Sequence, residues 1–344
     1  MKIKLLLFVC TLFAPISLSF GQIADDYVAP RTEWDQPDLQ GIWNFNSNTP
    51  MQRPDRFGTQ EFLTPEEAEQ DRLRQEERRI AADAREAELV VNPVAPPAGA
   101  SSTGGYNNFW YETASIGENV RTSLIVYPRN GRLPARVEGS AEHIANLGPD
   151  VEGERPVIAL FGGIGKDGPE DRGLSERCLI GFNAGPPLAG GGYNANVQIF
   201  QNKDHAVIMT EMVHDARIVP LDDRGAIDDD IRLWSGDSRG YWDGDTLVVV
   251  TKNFTDLIPS FSRYGNAKDK TLTERFTRVN AVTIDYEWTL EDPSTFTDKI
   301  TAIMPITKVA GQLYEYGCHE GNYGMINILR GERMNELRAA EAEE

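Results

Sequence analysis

The chain has 344 residues, with 34 Lys and Arg against 53 Asp and Glu, giving a formal net charge of −19. That balance repels phosphate backbones and excludes nucleic acid as a partner. With 40% hydrophobic and 25% charged residues, the chain is neither fibrous nor disordered as a whole and can bury a core of domain size.

Met1 to Gly21 opens with Lys2 and Lys4, runs through an apolar stretch from Leu5 to Phe20, and places small residues at Ser19 and Gly21 ahead of Gln22. This is the plan of a secretory signal peptide, with cleavage expected after about Gly21. A membrane anchor is the weaker reading, because the apolar run falls short of the ~20 residues of a spanning helix and Pro15 interrupts it. Cys10 follows Val9 rather than a small residue, so it is read as part of the discarded segment and not as a lipidation site. The expected location is therefore the periplasm or the exterior, with no membrane attachment after cleavage. Export leaves Cys178 and Cys318 in an oxidising compartment, where an even count favours a disulfide and two buried thiols are the alternative.

Residues 22–62 form an extended N-terminal segment in which Gly41 and Trp43, two apart, share one face of a first strand. Thr64-Pro65-Glu66-Glu67 is a capping-box start for a charged helix within 63–90, whose apolar positions are too sparse for a buried face. Residues 91–105 carry prolines and a Gly/Ser cluster and read as a loop. From 106 to 333 the period becomes two. Strands are expected around 123–127, 157–161, 197–201, 205–211 and 216–221, in a hairpin over 241–250, and around 272–279, 283–290, 299–306 and 313–317. Residues 334–344 read as an acidic tail. About ten strands, short connections and one exposed N-terminal helix predict a mainly β fold, an antiparallel meander closing into a calycin-like barrel or a sandwich.

Gly163-Ile164-Gly165-Lys166-Asp167-Gly168 matches a dinucleotide fingerprint, but Pro169 and Gly173 follow where a helix must open, and an exported chain has no such cofactor pool. No cofactor is expected. Glu211 and His214 lie three apart, a spacing that shares a face on a helix and not on a strand, and no H-E-x-x-H or C-x-x-C is present, so no metal site is expected either.

Four histidines occur in the chain, and two sit beside carboxylates: His214 before Asp215 and His319 before Glu320. Alternation places Asp215 and Arg217 on one face and His214 on the other, where an imidazole facing the barrel interior could act near neutral pH. An Asp215–Arg217 pair on the sheet surface is the bland reading of those two residues. The segment 314–323 joins Cys318, His319 and Glu320 to Asn322 and Tyr323 between glycines. It reads either as part of a site or as a C-terminal strap of the barrel. Asn108, Trp110 and Tyr111 offer an amide and aromatic platform against which a ring could stack, or else core packing.

The phrases Pro37-Asp38-Leu39-Gln40-Gly41-Ile42-Trp43, His214-Asp215-Ala216-Arg217-Ile218, Gly236-Asp237-Ser238-Arg239-Gly240 with Trp242-Asp243-Gly244-Asp245-Thr246-Leu247, and Cys318-His319-Glu320-Gly321-Asn322-Tyr323 together resemble a large, mostly uncharacterised family of exported bacterial proteins. The resemblance implies export and no particular reaction. Gly41-x-Trp43 is also similar to the start of lipocalin-like barrels, which implies a ligand-holding barrel.

Two functions fit these observations. The first is an exported acid–base enzyme, a lyase, isomerase or hydrolase, acting on a small carbohydrate-like or aromatic metabolite. His214 and His319 would carry protons, Glu320 or Asp215 would orient them, Arg217 would anchor an anionic group, and Asn108, Trp110, Tyr111, Asn322 and Tyr323 would line the substrate. The second is a lipocalin-like binding protein holding an apolar or aromatic molecule in the barrel mouth.

Overall fold

A computed structural model describes residues 27–91, 120–140, 165–190, 192–262 and 264–343. The expected signal peptide, the loop after residue 91, the strand at 157–161 and the platform of Asn108, Trp110 and Tyr111 lie outside the described residues.

Ten strands form one antiparallel sheet: β1 (Gly41–Asn44), β2 (Ile125–Tyr127), β3 (Asn196–Gln201), β4 (His205–Thr210), β5 (Ala216–Pro220), β6 (Asp237–Asp243), β7 (Thr246–Lys252), β8 (Thr271–Arg278), β9 (Thr283–Glu291) and β10 (Ile300–Lys308). Their order is β5-β4-β3-β1-β10-β9-β8-β7-β6, with β2 paired to β10 as a short branch. The end strands β5 and β6 lie against each other, so the sheet nearly closes into a barrel. Gly240 sits at that seam, where a Cβ would fall 2.8 Å from side-chain carbons of both Val219 and Leu221. A residue without a side chain lets β6 come this near β5.

The alternation of the sequence sets what the barrel contains. Leu272 and Phe276 of β8, Ile284, Tyr286, Trp288 and Leu290 of β9, and Ile300, Ala302, Met304 and Ile306 of β10 are all buried at every second position. Trp43 of β1 is fully buried among them and donates its indole N–H to the Leu39 carbonyl at 2.9 Å. The β6–β7 hairpin turns through Gly244-Asp245, and Gly244 holds the positive φ of +59° that such a turn needs. Arg278 closes one end of the barrel: its guanidinium stands 5.6 Å from the Trp43 ring and donates to the carbonyls of Asp38 and Ala281.

The helix α1 (Pro65–Val91) begins as its sequence requires. The Thr64 amide donates to Glu67 Oε2 at 2.8 Å and the Glu67 amide to Thr64 Oγ1 at 3.2 Å, a reciprocal capping box. Its surface is laced with ion pairs such as Arg72–Glu69 and Arg79–Glu76, and Asn48 Nδ2 on the barrel side donates to Gln75 Oε1 at 2.6 Å.

Two expectations are corrected at the C-terminus. Residues 313–317 form no strand; after β10 the chain runs as an irregular, largely exposed strap. The acidic tail is instead the end of a second helix, α2 (Tyr323–Glu343), so the barrel does not extend to residue 333. Asn322 caps this helix through its Oδ1, which accepts from the Met325 amide at 3.4 Å. Cys178 and Cys318 form a disulfide with a Cα–Cα distance of 5.7 Å, which ties the strap to the loop before β3.

Candidate functional site

The geometry separates the residues that the sequence groups together. After β4 the backbone makes a single 3₁₀ turn over Met212–His214, with Val213 at φ +63° and His214 at φ +45°. His214 and Arg217 lie on opposite sides as alternation requires, but the interior is the other side from the one expected: His214 is exposed and Arg217 points into the barrel. Arg217 does not pair with Asp215 on the surface; Asp215 Oδ2 accepts instead from Ser235 Oγ at 2.6 Å. Glu211 is buried and accepts from Asn196 Nδ2 at 2.8 Å.

His319 and Glu320 are exposed on the strap. Asn322 Nδ2 donates to the Glu176 carbonyl at 2.8 Å, and Tyr323 is 72% exposed at the start of α2. In 314–323 the geometry is that of a strap pinned by Cys318. Neither His214 nor His319 lines the groove described below.

Inside the barrel lies a polar network that the sequence reading did not single out. Arg217 makes a two-pronged ion pair with Glu274 of β8, at 2.5 and 2.9 Å, and Tyr286 of β9 donates its hydroxyl to the same carboxylate at 2.7 Å. The Leu188 amide donates to the Tyr286 hydroxyl oxygen at 3.0 Å, so the segment before β3 inserts to the level of this network. Lys270, just ahead of β8, is also buried; its ammonium stands 4.0 Å from the Phe254 ring centre and 3.5 Å from the Pro186 carbonyl oxygen. Burial lowers the Lys270 pKa to about 7, against the pull of Asp292 and Glu274. Burial also raises the Tyr286 hydroxyl well above its ordinary value, and the neighbouring Glu274 charge adds to it. Leu174, Ile180 and Leu188 share one core with the inward side chains of the strands. This network is therefore enclosed by packed protein.

Open space lies on the outer wall. A groove of about 1200 Å³ runs between α1, the segment around residues 46–57, and the outward faces of β9 and β10. The outward residues of β9 include Asp285 and Glu287, two carboxylates on one face at strand spacing. Asp285 lines the groove together with Arg121. Burial raises the Asp285 carboxyl above the usual carboxylate range while the Arg121 charge opposes the shift. Glu287 is raised in the same way, with Arg275 opposing and Asp285 reinforcing. Burial in turn lowers the Arg121 guanidinium, which stands 4.5 Å from the Phe62 ring centre. A carboxyl whose pKa is raised by burial, on a groove wall shared with a guanidinium, is the equipment of general acid–base chemistry.

The signal for Asp285 was present in Thr283–Glu291, where acids alternate with buried apolar residues; Arg121 carried none, because its segment is irregular. Among the described residues no group of three or more His, Cys, Asp or Glu is placed to hold a metal ion, and no helix is long and apolar enough to cross a membrane. No protein-family model matches the chain, and no curated protein matches it in sequence.

Proposed function

We propose that this protein is an exported enzyme of acid–base type acting on a small carbohydrate-like metabolite, with its reacting groups in the groove beneath α1 rather than at the two histidines. The observation that carries this reading is the placement of Asp285 and Arg121 together on the wall of a groove of about 1200 Å³. Asp285 would exchange the proton, and Arg121 would hold the developing negative charge. Export is supported by the Lys-led apolar segment from Met1 to Gly21 and by the Cys178–Cys318 disulfide. The lipocalin-like alternative has less support, because Leu174, Ile180 and Leu188 pack with the inward side chains of the barrel where an apolar ligand would sit.

The test is a screen of small metabolites by mass spectrometry, comparing wild type with Asp285→Asn. Turnover by wild type is expected to fall by at least a hundredfold in Asp285→Asn, consistent with the size of a general acid–base contribution, and the acid limb of the pH–rate profile should move. His214→Ala and His319→Ala should leave the rate unchanged. Full activity in Asp285→Asn, or loss of activity in either histidine variant, would overturn the assignment.

A further inference from the structure

The charge of the groove is opposite to that of the molecule. Four arginines, Arg56, Arg74, Arg78 and Arg121, line it in a chain whose formal net charge is −19. The acidic residues of the lining are largely committed elsewhere. Glu67 closes the capping box with the Thr64 amide and accepts from Gln60 Nε2 at 2.6 Å. Asp71 is held by Arg74 at 3.0 Å and by Gln75 Nε2 at 2.7 Å. Among the described residues, Arg56 and Arg78 have no carboxylate within ion-pair distance. Arg56 stands 4.5 Å from the centre of the Phe57 ring. The Glu67 carboxyl is lowered first by its bond to the Thr64 amide, and the Arg56 charge helps lower it without forming an ion pair with it. The uncommitted charge of the groove is therefore positive and comes from two elements of its lining: Arg78 from α1, and Arg56 from the short 3₁₀ turn over Asp55–Phe57. The rest of the lining includes amides and hydroxyls, among them Asn46, Asn48, Thr283 and Thr307, which are donors and acceptors suited to a polyol.

We infer that the ligand of this groove is an acidic saccharide, a short carboxylate-bearing sugar chain held by Arg56 and Arg78 at its acidic groups and by the amide and hydroxyl lining along its body. The volume of about 1200 Å³ leaves room for a short saccharide chain. Guanidinium forks bind carboxylates in a planar, two-pronged geometry, which distinguishes an acidic sugar from a neutral one of the same shape. The inference rests on the reading of the groove as the functional site and names its substrate class.

The experiment is titration calorimetry with the full chain, using trigalacturonate as the acidic probe, the neutral galactose trisaccharide as its counterpart, and inorganic sulfate as a bare anion. The acidic trisaccharide is expected to bind at least tenfold more tightly than the neutral one and to weaken as ionic strength rises. Arg56→Ala and Arg78→Ala should each weaken its binding about tenfold or more, whereas Arg338→Ala on α2 should not. Equal binding of the two trisaccharides, no binding of either at millimolar concentration, or sulfate competing as strongly as trigalacturonate would overturn the inference. Binding to Asp285→Asn separates the two claims. Arginine-dependent binding of the acidic sugar with turnover indifferent to Asp285 would sustain the ligand class and sink the acid–base reading. Asp285-dependent turnover of a neutral sugar only would do the reverse.

Discussion

Glu274 is fully buried, and its tolerance of that position depends on being bonded by three donor groups, two from Arg217 and one from Tyr286. Removing its charge leaves the Arg217 guanidinium buried without compensation. Glu274→Gln is therefore expected to destabilise the protein by roughly 3–5 kcal/mol in denaturant unfolding. Simultaneous replacement of Arg217, Glu274 and Tyr286 by apolar residues of similar volume should cost far less than that single change. Lys270 makes a second prediction at this scale. Its folded pKa, about 7, lies below its unfolded value near 10.5, so between these two pH values the unfolded chain binds the extra proton and stability rises with pH. Below pH 7 both states are protonated and the whole penalty is present, roughly 5 kcal/mol. Lys270→Met should stabilise the protein at pH 6 and flatten the climb in stability between pH 7 and 10. A climb of unchanged slope in that variant would show that another group sets it.

The elements were legible wherever the period was clean. β8 and β9 alternate without interruption, so their inward files follow from the sequence alone, and β10 departs from alternation only at the buried Ile303. The same files contained a clue that alternation does not interpret: Glu274 lies between Leu272 and Phe276 on the buried face, which marks a buried ion pair without naming its partner. The partner, Arg217, was misplaced, because alternation groups residues by face without saying which face is interior, and in β5 the arginine is buried while the neighbouring Ile218 is exposed. α2 was missed because Gly324 and Gly331 lower its intrinsic helicity and none of its described residues is buried, so no apolar face announces it. The barrel seam gives the prediction proper to this scale. Gly240→Ala would press a methyl against Val219 and Leu221 at 2.8 Å and should cost about 1–3 kcal/mol, while adding Leu221→Ala should recover part of the loss. Additive costs in the double variant would show that the seam relaxes in some other way.

At the scale of the whole molecule, the Cys178–Cys318 bond closes a loop of 140 residues that contains every strand from β3 to β10. In the chain-entropy description, a loop of this length removes roughly 5 kcal/mol of freedom from the unfolded chain. The bond also pins a strap whose other described attachments are few: Asn322 to the Glu176 carbonyl at 2.8 Å, Arg333 to the carbonyls of Lys166 and Asp167, and Lys166 to Glu332 at 3.3 Å. The two effects are separable by experiment. In Cys178→Ser/Cys318→Ser the cooperative unfolding of the barrel should shift to lower denaturant by an amount worth several kcal/mol, with β-sheet circular dichroism retained in the absence of denaturant. Hydrogen exchange should then rise in α2 and in the loop of residues 165–178 under native conditions, while β8, β9 and β10 keep their protection up to global unfolding, because their bonds are made strand to strand inside the closed sheet. Loss of protection throughout the barrel in the native state would mean that the strap and the sheet fold as one unit, and the disulfide would then hold the barrel itself rather than its C-terminal cover.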